Sequence, residues 1–362
     1  MTYRIALIGP AHPYKGGIVH HTTELAHRLE HEGHDVSLLS WSAQYPSFLY
    51  PGEQRAPNDK PDVAPFANTS YPLSWKNPAG WLKVGRQLRS CDVVIIVFAS
   101  SVQAPAYLAM LRARGKCPGR VVALCHNVLP HERRFFDKPL IRAVLSRVDQ
   151  VLVHTPEQAQ LAKTLTKAHI TTAQIPPHLP AKPQGRHSTQ LTRQLLFFGL
   201  VRPYKGVDVL LRALAAVPDV HATIGGEIWG GREQYDKLVS ELGLQDRVTL
   251  TNGYVPSQDL PNLLAKADVL VLPYRSGTAT QNITLAHAHG LPVIATKIGS
   301  MASQVREGID GLLCAPDDVN SLAKAIKRFY EPGVAARLQK GIPPFSEDEQ
   351  WGTYIASLLA EM

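Results

Sequence analysis

The sequence predicts an α/β protein built from two doubly wound, Rossmann-like domains that face one another across a ligand cleft. A repeated loop carries most of that expectation. The tetrapeptide Pro-Tyr-Lys-Gly occurs twice, at residues 13–16 and 203–206. Each copy follows an apolar run that ends in glycine, Ile5-Ala6-Leu7-Ile8-Gly9 and Leu195-Leu196-Phe197-Phe198-Gly199, at the same spacing. An amphipathic helical pattern comes after each. Two strand, glycine-loop, helix units in one chain are what two facing dinucleotide-type folds would leave in a sequence.

Length agrees with the repeat. The chain has 362 residues, roughly twice the usual domain size, so each half can bury its own core. In the first half, apolar runs at residues 4–8, 35–39, 93–98, 121–124 and 151–153 alternate with helical patterns at 22–32, 104–114 and 139–147. The second half repeats this, with strands at 195–198, 221–224, 248–251, 269–271 and 292–295 and helices at 207–216, 234–241, 258–266 and 319–330. Such alternation predicts parallel sheets covered on both faces. Residues 42–78, rich in Pro, Asn and Tyr and without a period, read as a long functional loop. Linker composition at 176–188 divides the chain into two domains, 1–178 and 189–345. An amphipathic terminal helix, 346–362, with Trp351, Tyr354, Ile355 and Leu358 on one side, is expected to pack back on the first domain.

Composition excludes several classes. Charged residues are 19% and hydrophobic ones 44%, as in ordinary globular proteins. The four cysteines, Cys91, Cys117, Cys125 and Cys314, form neither a CxxC pair nor a zinc spacing, so buried thiols in a reducing compartment are expected. The first strand starts close to Met1 and no apolar run reaches membrane-spanning length, which predicts a cytoplasmic protein. The net charge of +8 is uneven: residues 1–190 hold 22 Lys and Arg against 12 Asp and Glu, and residues 191–362 hold 16 against 18. A basic first half suits phosphorylated substrates or anionic lipid. No nucleic-acid-binding signature accompanies it, so nucleic acid is not expected as a partner.

The second loop, Gly199-Leu200-Val201-Arg202-Pro203-Tyr204-Lys205-Gly206, carries the clearest chemistry. Gly199 lets the backbone approach a ligand, and Arg202 and Lys205 set two cations beside the next helix N-terminus, which describes a diphosphate site. The plain alternative is a basic turn that only caps the helix.

Here the chain resembles the retaining glycosyltransferases of the GT-B fold, family 4. The resemblance spans nearly the whole chain. It rests on the glycine loop after the first strand, on Cys125-His126-Asn127-Val128-Leu129-Pro130-His131-Glu132, on the Arg202/Lys205 loop, on Gly225-Gly226-Glu227, on Val269 to Tyr274, and on Gly290-Leu291-Pro292-Val293-Ile294-Ala295. It implies that Arg202 and Lys205 hold the donor diphosphate and offset the leaving-group charge, with no metal and no cofactor needed. It implies also that His126, at a strand's carboxyl end, stands against the donor sugar as a third catalytic residue, where a lone histidine would otherwise read as a cap or core residue. Gly16 and Gly17 fall where the family's loop lies beneath the donor phosphates. Tyr254, within Gly253-Tyr254-Val255-Pro256, falls where the family holds the base. Glu227 is a candidate for a sugar or ribose hydroxyl, with a solvated loop carboxylate as its alternative.

The chain departs from the family at three positions. Where many members carry glutamates eight residues apart, this sequence has Gly277 and Leu285. The intervening Thr280, Gln281 and Asn282 offer short polar groups for sugar hydroxyls instead. The arginine that usually follows the loop's first glycine is replaced by Leu200, and Arg202 comes two positions later. Residues 75–90, with Lys76, Lys83, Arg86 and Arg89 around Trp81, Leu82, Val84 and Leu88, read either as an ordinary surface helix or as one that docks on anionic membrane.

The resemblance implies a retaining enzyme that moves a hexose from a nucleotide-diphosphate sugar to a hydroxyl of a glycan or lipid-linked acceptor. Two rivals share the architecture: a non-catalytic nucleotide- or glycan-binding scaffold, motivated by the missing glutamates, and a nucleotide-sugar epimerase. A dinucleotide-dependent oxidoreductase is disfavoured, because neither loop spells GxGxxG and no acidic residue closes the second strand.

Overall fold

A computed structural model describes residues 2–14, 16–44, 55, 63–98, 100–130, 134–176, 190–229, 231–253, 255, 259–277, 280–299 and 301–360. The chain divides into two compact units, Met1–His178 with Asp348–Met362, and Leu179–Glu347.

The first unit is built on a seven-stranded parallel sheet: β1 (Arg4–Ile8), β2 (Asp35–Ala43), β3 (Thr69–Ser74), β4 (Val93–Phe98), β5 (Arg120–Cys125), β6 (Gln150–Val153) and β7 (His169–Thr172), in the order 3-2-1-4-5-6-7. Its strands are short apolar runs, and β4, Val-Val-Ile-Ile-Val-Phe, is buried at every residue, as a central strand covered on both faces must be. Strand β1 shows the pleat: Ala6 and Ile8 join one core cluster, Ile5 and Leu7 the other. Helices α1 (Gly17–His31), α2 (Pro78–Gln87), α3 (Ala104–Arg114), α4 (Asp137–Leu145) and α5 (Pro156–Lys163) connect the strands. The chain's last helix, α13 (Glu347–Leu358), also belongs here. Its Trp351, Tyr354, Ile355 and Leu358, spaced i, i+3, i+4, i+7, join the cluster of Ile5, Leu7 and Leu25. Gln150 Nε2 donates to Ser357 O at 3.0 Å and Arg120 Nη1 to Ala360 O at 2.9 Å, which hold the helix end.

The second unit repeats the plan with six parallel strands, β8 (Gln194–Phe198), β9 (His221–Gly226), β10 (Val248–Asn252), β11 (Val269–Leu272), β12 (Val293–Thr296) and β13 (Gly311–Cys314), ordered 10-9-8-11-12-13. Its helices are α6 (Val207–Ala215), α7 (Glu233–Glu241), α8 (Leu260–Lys266), α9 (Gln281–Ala288), α10 (Met301–Gln304), α11 (Val319–Phe329) and α12 (Val334–Gly341). In both sheets the order reverses beside the first strand, between β1 and β4 and between β8 and β11.

The structure corrects the expected loop at residues 42–78. Strand β2 runs on to Ala43, and Thr69–Ser74 pairs with it as an edge strand in a parallel register broken by bulges. Pro72 hid this strand in the sequence, since proline is tolerated in a sheet chiefly at such an edge. Residues 45–54 and 56–62 lie outside the described residues, as do 177–189 of the expected linker. The edge strands β7 and β13 were likewise not anticipated. Among the described residues no helix is long and apolar enough to cross a membrane.

Candidate functional site

In doubly wound sheets, ligands bind outside the carboxyl ends of the strands where the order reverses. In the second unit that position is the exit of β8 and β11. Phe198 leads into Gly199 at φ +111°, and Val201 N–H donates to Glu227 O at 2.8 Å. A Cβ on Gly226, at φ +148°, would lie 2.1 Å from Gly199 O, so the two loops cross where only glycine fits. A 3-10 turn, Pro203–Lys205, then delivers Gly206 at φ +65°, and a Cβ there would lie 2.1 Å from Pro273 O. Replacing Gly206 by alanine is therefore expected to lower stability by roughly 2–4 kcal/mol, through strain and the carbonyl clash, read as a fall in the urea midpoint.

This turn presents Lys205. Its ammonium lies 5.1 Å from the Tyr274 ring centroid, at the exit of β11. Burial opposes its charge, but the neighbouring Tyr274 and Tyr204 more than offset this and hold it above the ordinary lysine value, so it stays cationic. The absent side chain of Gly199 leaves a niche rimmed by two donors: a Cβ there would stand 3.5 Å from Lys205 Nζ and 3.6 Å from Asn282 Nδ2. Asn282 Nδ2 also donates to Phe198 O at 3.0 Å, which ties the start of α9 to the end of β8. Thr280 caps α9 by accepting from Asn282 N–H at 3.2 Å, and Gln281 follows, partly buried, in the first turn. A lysine, an amide and a helix N-terminus around a glycine suit an anion.

Arg202 is placed differently from Lys205. Its guanidinium lies 4.6 Å from the Trp229 ring centroid and 6.0 Å from that of Tyr204, and Trp229 Nε1 donates to Glu227 Oε1 at 3.1 Å. Glu227 thus has an indole partner, where the sequence suggested a sugar hydroxyl or solvent. Leu285, at the position of the family's second glutamate, is 7% exposed and belongs to the unit's core. At Gly277 a Cβ would make only ordinary contact, 3.6 Å from Tyr274 Cδ2. Tyr254 lies outside the described residues.

In the first unit, Gly16 caps α1 at φ +110° with open space where a Cβ would be, so it is the backbone angle that favours glycine there; Gly17 begins the helix, exposed. Lys15 lies outside the described residues. His126 follows β5 at its carboxyl end, partly buried, with Nε2 enclosed and unbonded. Sequence reasoning missed its company. The His126 ring centroid is 5.0 Å from that of His21 on α1 and 5.1 Å from that of His154 after β6. Trp351 stacks on His21 at 5.4 Å and Tyr354 on His154 at 6.0 Å. Burial pushes His21 down to about 3, with His154 adding to it. Burial likewise lowers His154 to about 4 against its Nδ1 contact with Ala173 O, and pushes His126 well below the ordinary value together with the other two rings. All three are neutral at physiological pH, so His126 is a hydrogen-bonding group and not a cation. Among the described residues no group of three or more His, Cys, Asp or Glu is placed to hold a metal ion, and all four cysteines are free.

The structure therefore brings Gly199, Lys205, Thr280, Gln281 and Asn282 together in the second unit, with Arg202 and Glu227 beside them around Trp229. His126, Gly16 and Gly17 belong to the first unit. Trp229, Arg275, His21 and His154 escaped the sequence reading, because none carries a local motif, and Tyr274 was read only as the end of the Val269–Tyr274 run.

Comparison with known proteins agrees with this architecture. Residues 15–173 match the model for Glycosyltransferase Family 4 and residues 192–332 that for Glycosyl transferases group 1. The chain belongs to the family 4 glycosyltransferases of the GT-B fold. Among curated proteins it is 33% identical over 171 residues to the D-inositol 3-phosphate glycosyltransferase of Mycolicibacterium smegmatis, covering 45% of this chain and 38% of that one. It is 32% identical over 296 residues to an exopolysaccharide phosphotransferase of Streptomyces coelicolor, covering 77% of this chain and 30% of that one. The chain thus spans about a third of the length of these relatives. Among solved structures, sucrose-phosphate synthase of Thermosynechococcus elongatus superposes with a TM-score of 0.75 at 21% identity, over 99% of this chain and 96% of that one. Anabaena HepE in complex with UDP gives 0.71 at 16% identity, over 98% and 100%.

Proposed function

We propose that the protein is a retaining hexosyltransferase that uses a nucleoside-diphosphate sugar and transfers the hexose to a hydroxyl of a glycan or lipid-linked acceptor. The observation that carries this reading is the niche at Gly199, where Lys205 and Asn282 converge at the point of strand-order reversal. Anabaena HepE is described with UDP and with UDP-glucose, which makes UDP sugars the first donors to try. In the step proposed, the bond from the sugar's anomeric carbon to the diphosphate oxygen breaks as the acceptor oxygen bonds to that carbon on the same face. The acceptor's proton passes to the departing diphosphate. Lys205, with Arg202, offsets the charge that grows on the leaving group, and electrostatic stabilisation of that kind supplies most of the catalysis. Neither metal nor cofactor has a part in this step.

A lipid-linked acceptor draws support from α2, which buries Val84 while Trp75 and Leu82 are 40% and 44% exposed beside Lys76, Lys83 and Arg86. On this reading the helix meets an anionic membrane surface.

The test is release of nucleoside diphosphate from UDP-, GDP- and ADP-glucose in chelator, with and without a hydroxyl acceptor, with the product anomer read by NMR. Acceptor-dependent release with the donor's configuration kept is expected. A changed sugar without acceptor would favour the epimerase. Binding without turnover would favour the non-catalytic scaffold, to which the buried Leu285 lends its weight.

A further inference from the structure

The 3-10 turn Pro203–Lys205 contains no buried residue. Tyr204 and Lys205 are only partly buried, so polar ties must help packing to fix Lys205. One side chain supplies most of them. Arg275 leaves β11 on the far side of the strand-order reversal from β8. Its Nη1 donates to Pro203 O at 2.8 Å and to Asp208 Oδ1 at 2.8 Å, its Nη2 to Asp208 Oδ2 at 2.7 Å, and its Nε to Asp317 Oδ1 at 2.7 Å. Its backbone N–H donates to Tyr204 O at 2.7 Å. One residue thus holds the carbonyls of the two residues before Lys205, and it does so with a guanidinium anchored by carboxylates from two other segments. Its neighbour Tyr274 lies under the Lys205 ammonium. The exit of β11 grips the turn at both ends.

We infer that Arg275, anchored by Asp208 and Asp317, is the positioning residue that sets Lys205 for the leaving diphosphate. Four of its five N–H groups are committed to these partners, so it acts through the turn and not as a phosphate ligand. A lysine could not replace it, since an ammonium lacks the planar fork that meets Asp208 with two parallel bonds while reaching Pro203. The paired carboxylate behaves accordingly: burial raises Asp208, yet Arg275 outweighs it and keeps the group below the ordinary aspartate value.

The inference rests on the donor-diphosphate reading, and its test separates the two. UDP, GDP and ADP are titrated in turn, by ligand-observed NMR that reaches weak affinities, into the wild type, Arg275→Lys, Lys205→Ala and the double variant. The wild type should bind one of the three. Arg275→Lys should weaken that binding about tenfold, and in the Lys205→Ala background the same change should cost less than twofold. Asp317→Asn, at an exposed anchor, serves the same cycle should Arg275→Lys fail to fold, with about threefold weakening expected. Undiminished binding by the arginine variant, or an equal loss in both backgrounds, would overturn the inference alone. Absence of binding by the wild type would overturn the donor reading and the inference with it.

Discussion

Lys205→Ala should weaken nucleoside diphosphate binding about 100-fold and lower turnover by roughly 10²–10³, with the fold unchanged. The ammonium is partly withdrawn from water against Tyr274, where a charge-assisted hydrogen bond to an anion counts for more than at an open surface. Among the described residues, Lys205 Nζ is the cationic group nearest a Cβ at Gly199, while the Arg202 guanidinium lies over Trp229. The fold should survive because the turn buries no residue and Lys205 contributes to no core. A fall in kcat/KM with an unshifted urea midpoint is the expected pattern. A loss of activity that tracks a loss of stability would mean that the lysine holds the loop and not the ligand.

The second large effect is on pH. His21, His126 and His154 stand together under α13, and burial keeps them neutral, with His21 at about 3 and His154 at about 4. In the unfolded chain each takes a proton near 6.5. The unfolded state therefore binds more protons than the folded one below that value. Stability is complete above about 6.5 and falls as pH drops toward 4 and 3. Between pH 7 and pH 5 the expected loss is roughly 2 kcal/mol for each of His21 and His154. The charged groups beside the cluster do not relieve this: Arg28 lies against Trp351, and its carboxylate partners Glu24 and Asp348 pair with it and not with the imidazoles. Urea unfolding at the two pH values, followed by tryptophan fluorescence, reads the effect, since four of the five tryptophans lie in the first unit. His21→Leu should remove about a third of the difference, since His126 is lowered as well and adds a similar share, and both nitrogens of the His21 ring are buried without a partner. A midpoint independent of pH over this range would show that the rings are hydrated and not packed as a dry cluster.

Central strands were legible in the sequence because burial on both faces leaves continuous apolar runs; Val93–Phe98 is read identically from either source. Of the four edge strands, β10 was legible, and β3, β7 and β13 were not. His169-Ile170-Thr171-Thr172 is polar at three of its four residues and pairs on one side only, so its sequence resembles a loop. The Lys205 loop could be recognised because its glycines and cation are adjacent in the chain. Its supports could not: Asp208 and Asp317 lie 67 and 42 residues from Arg275, and no local pattern connects them. The histidines show the same limit. His21, His126 and His154 each read as a lone ring on a separate element, and only the sheet order, with the return of α13, gathers them. Asn282 was anticipated as a sugar ligand, yet its amide already serves the Phe198 carbonyl, a bond that depends on α9 meeting the end of β8.

The claim that matters most is that the niche at Gly199 holds a nucleoside diphosphate through Lys205. Calorimetric titration of UDP, GDP and ADP in chelator into the wild type and Lys205→Ala tests it most directly. The account predicts saturable binding of one of them at a single site, weakened about 100-fold in the variant. Equal affinity for both proteins would contradict it.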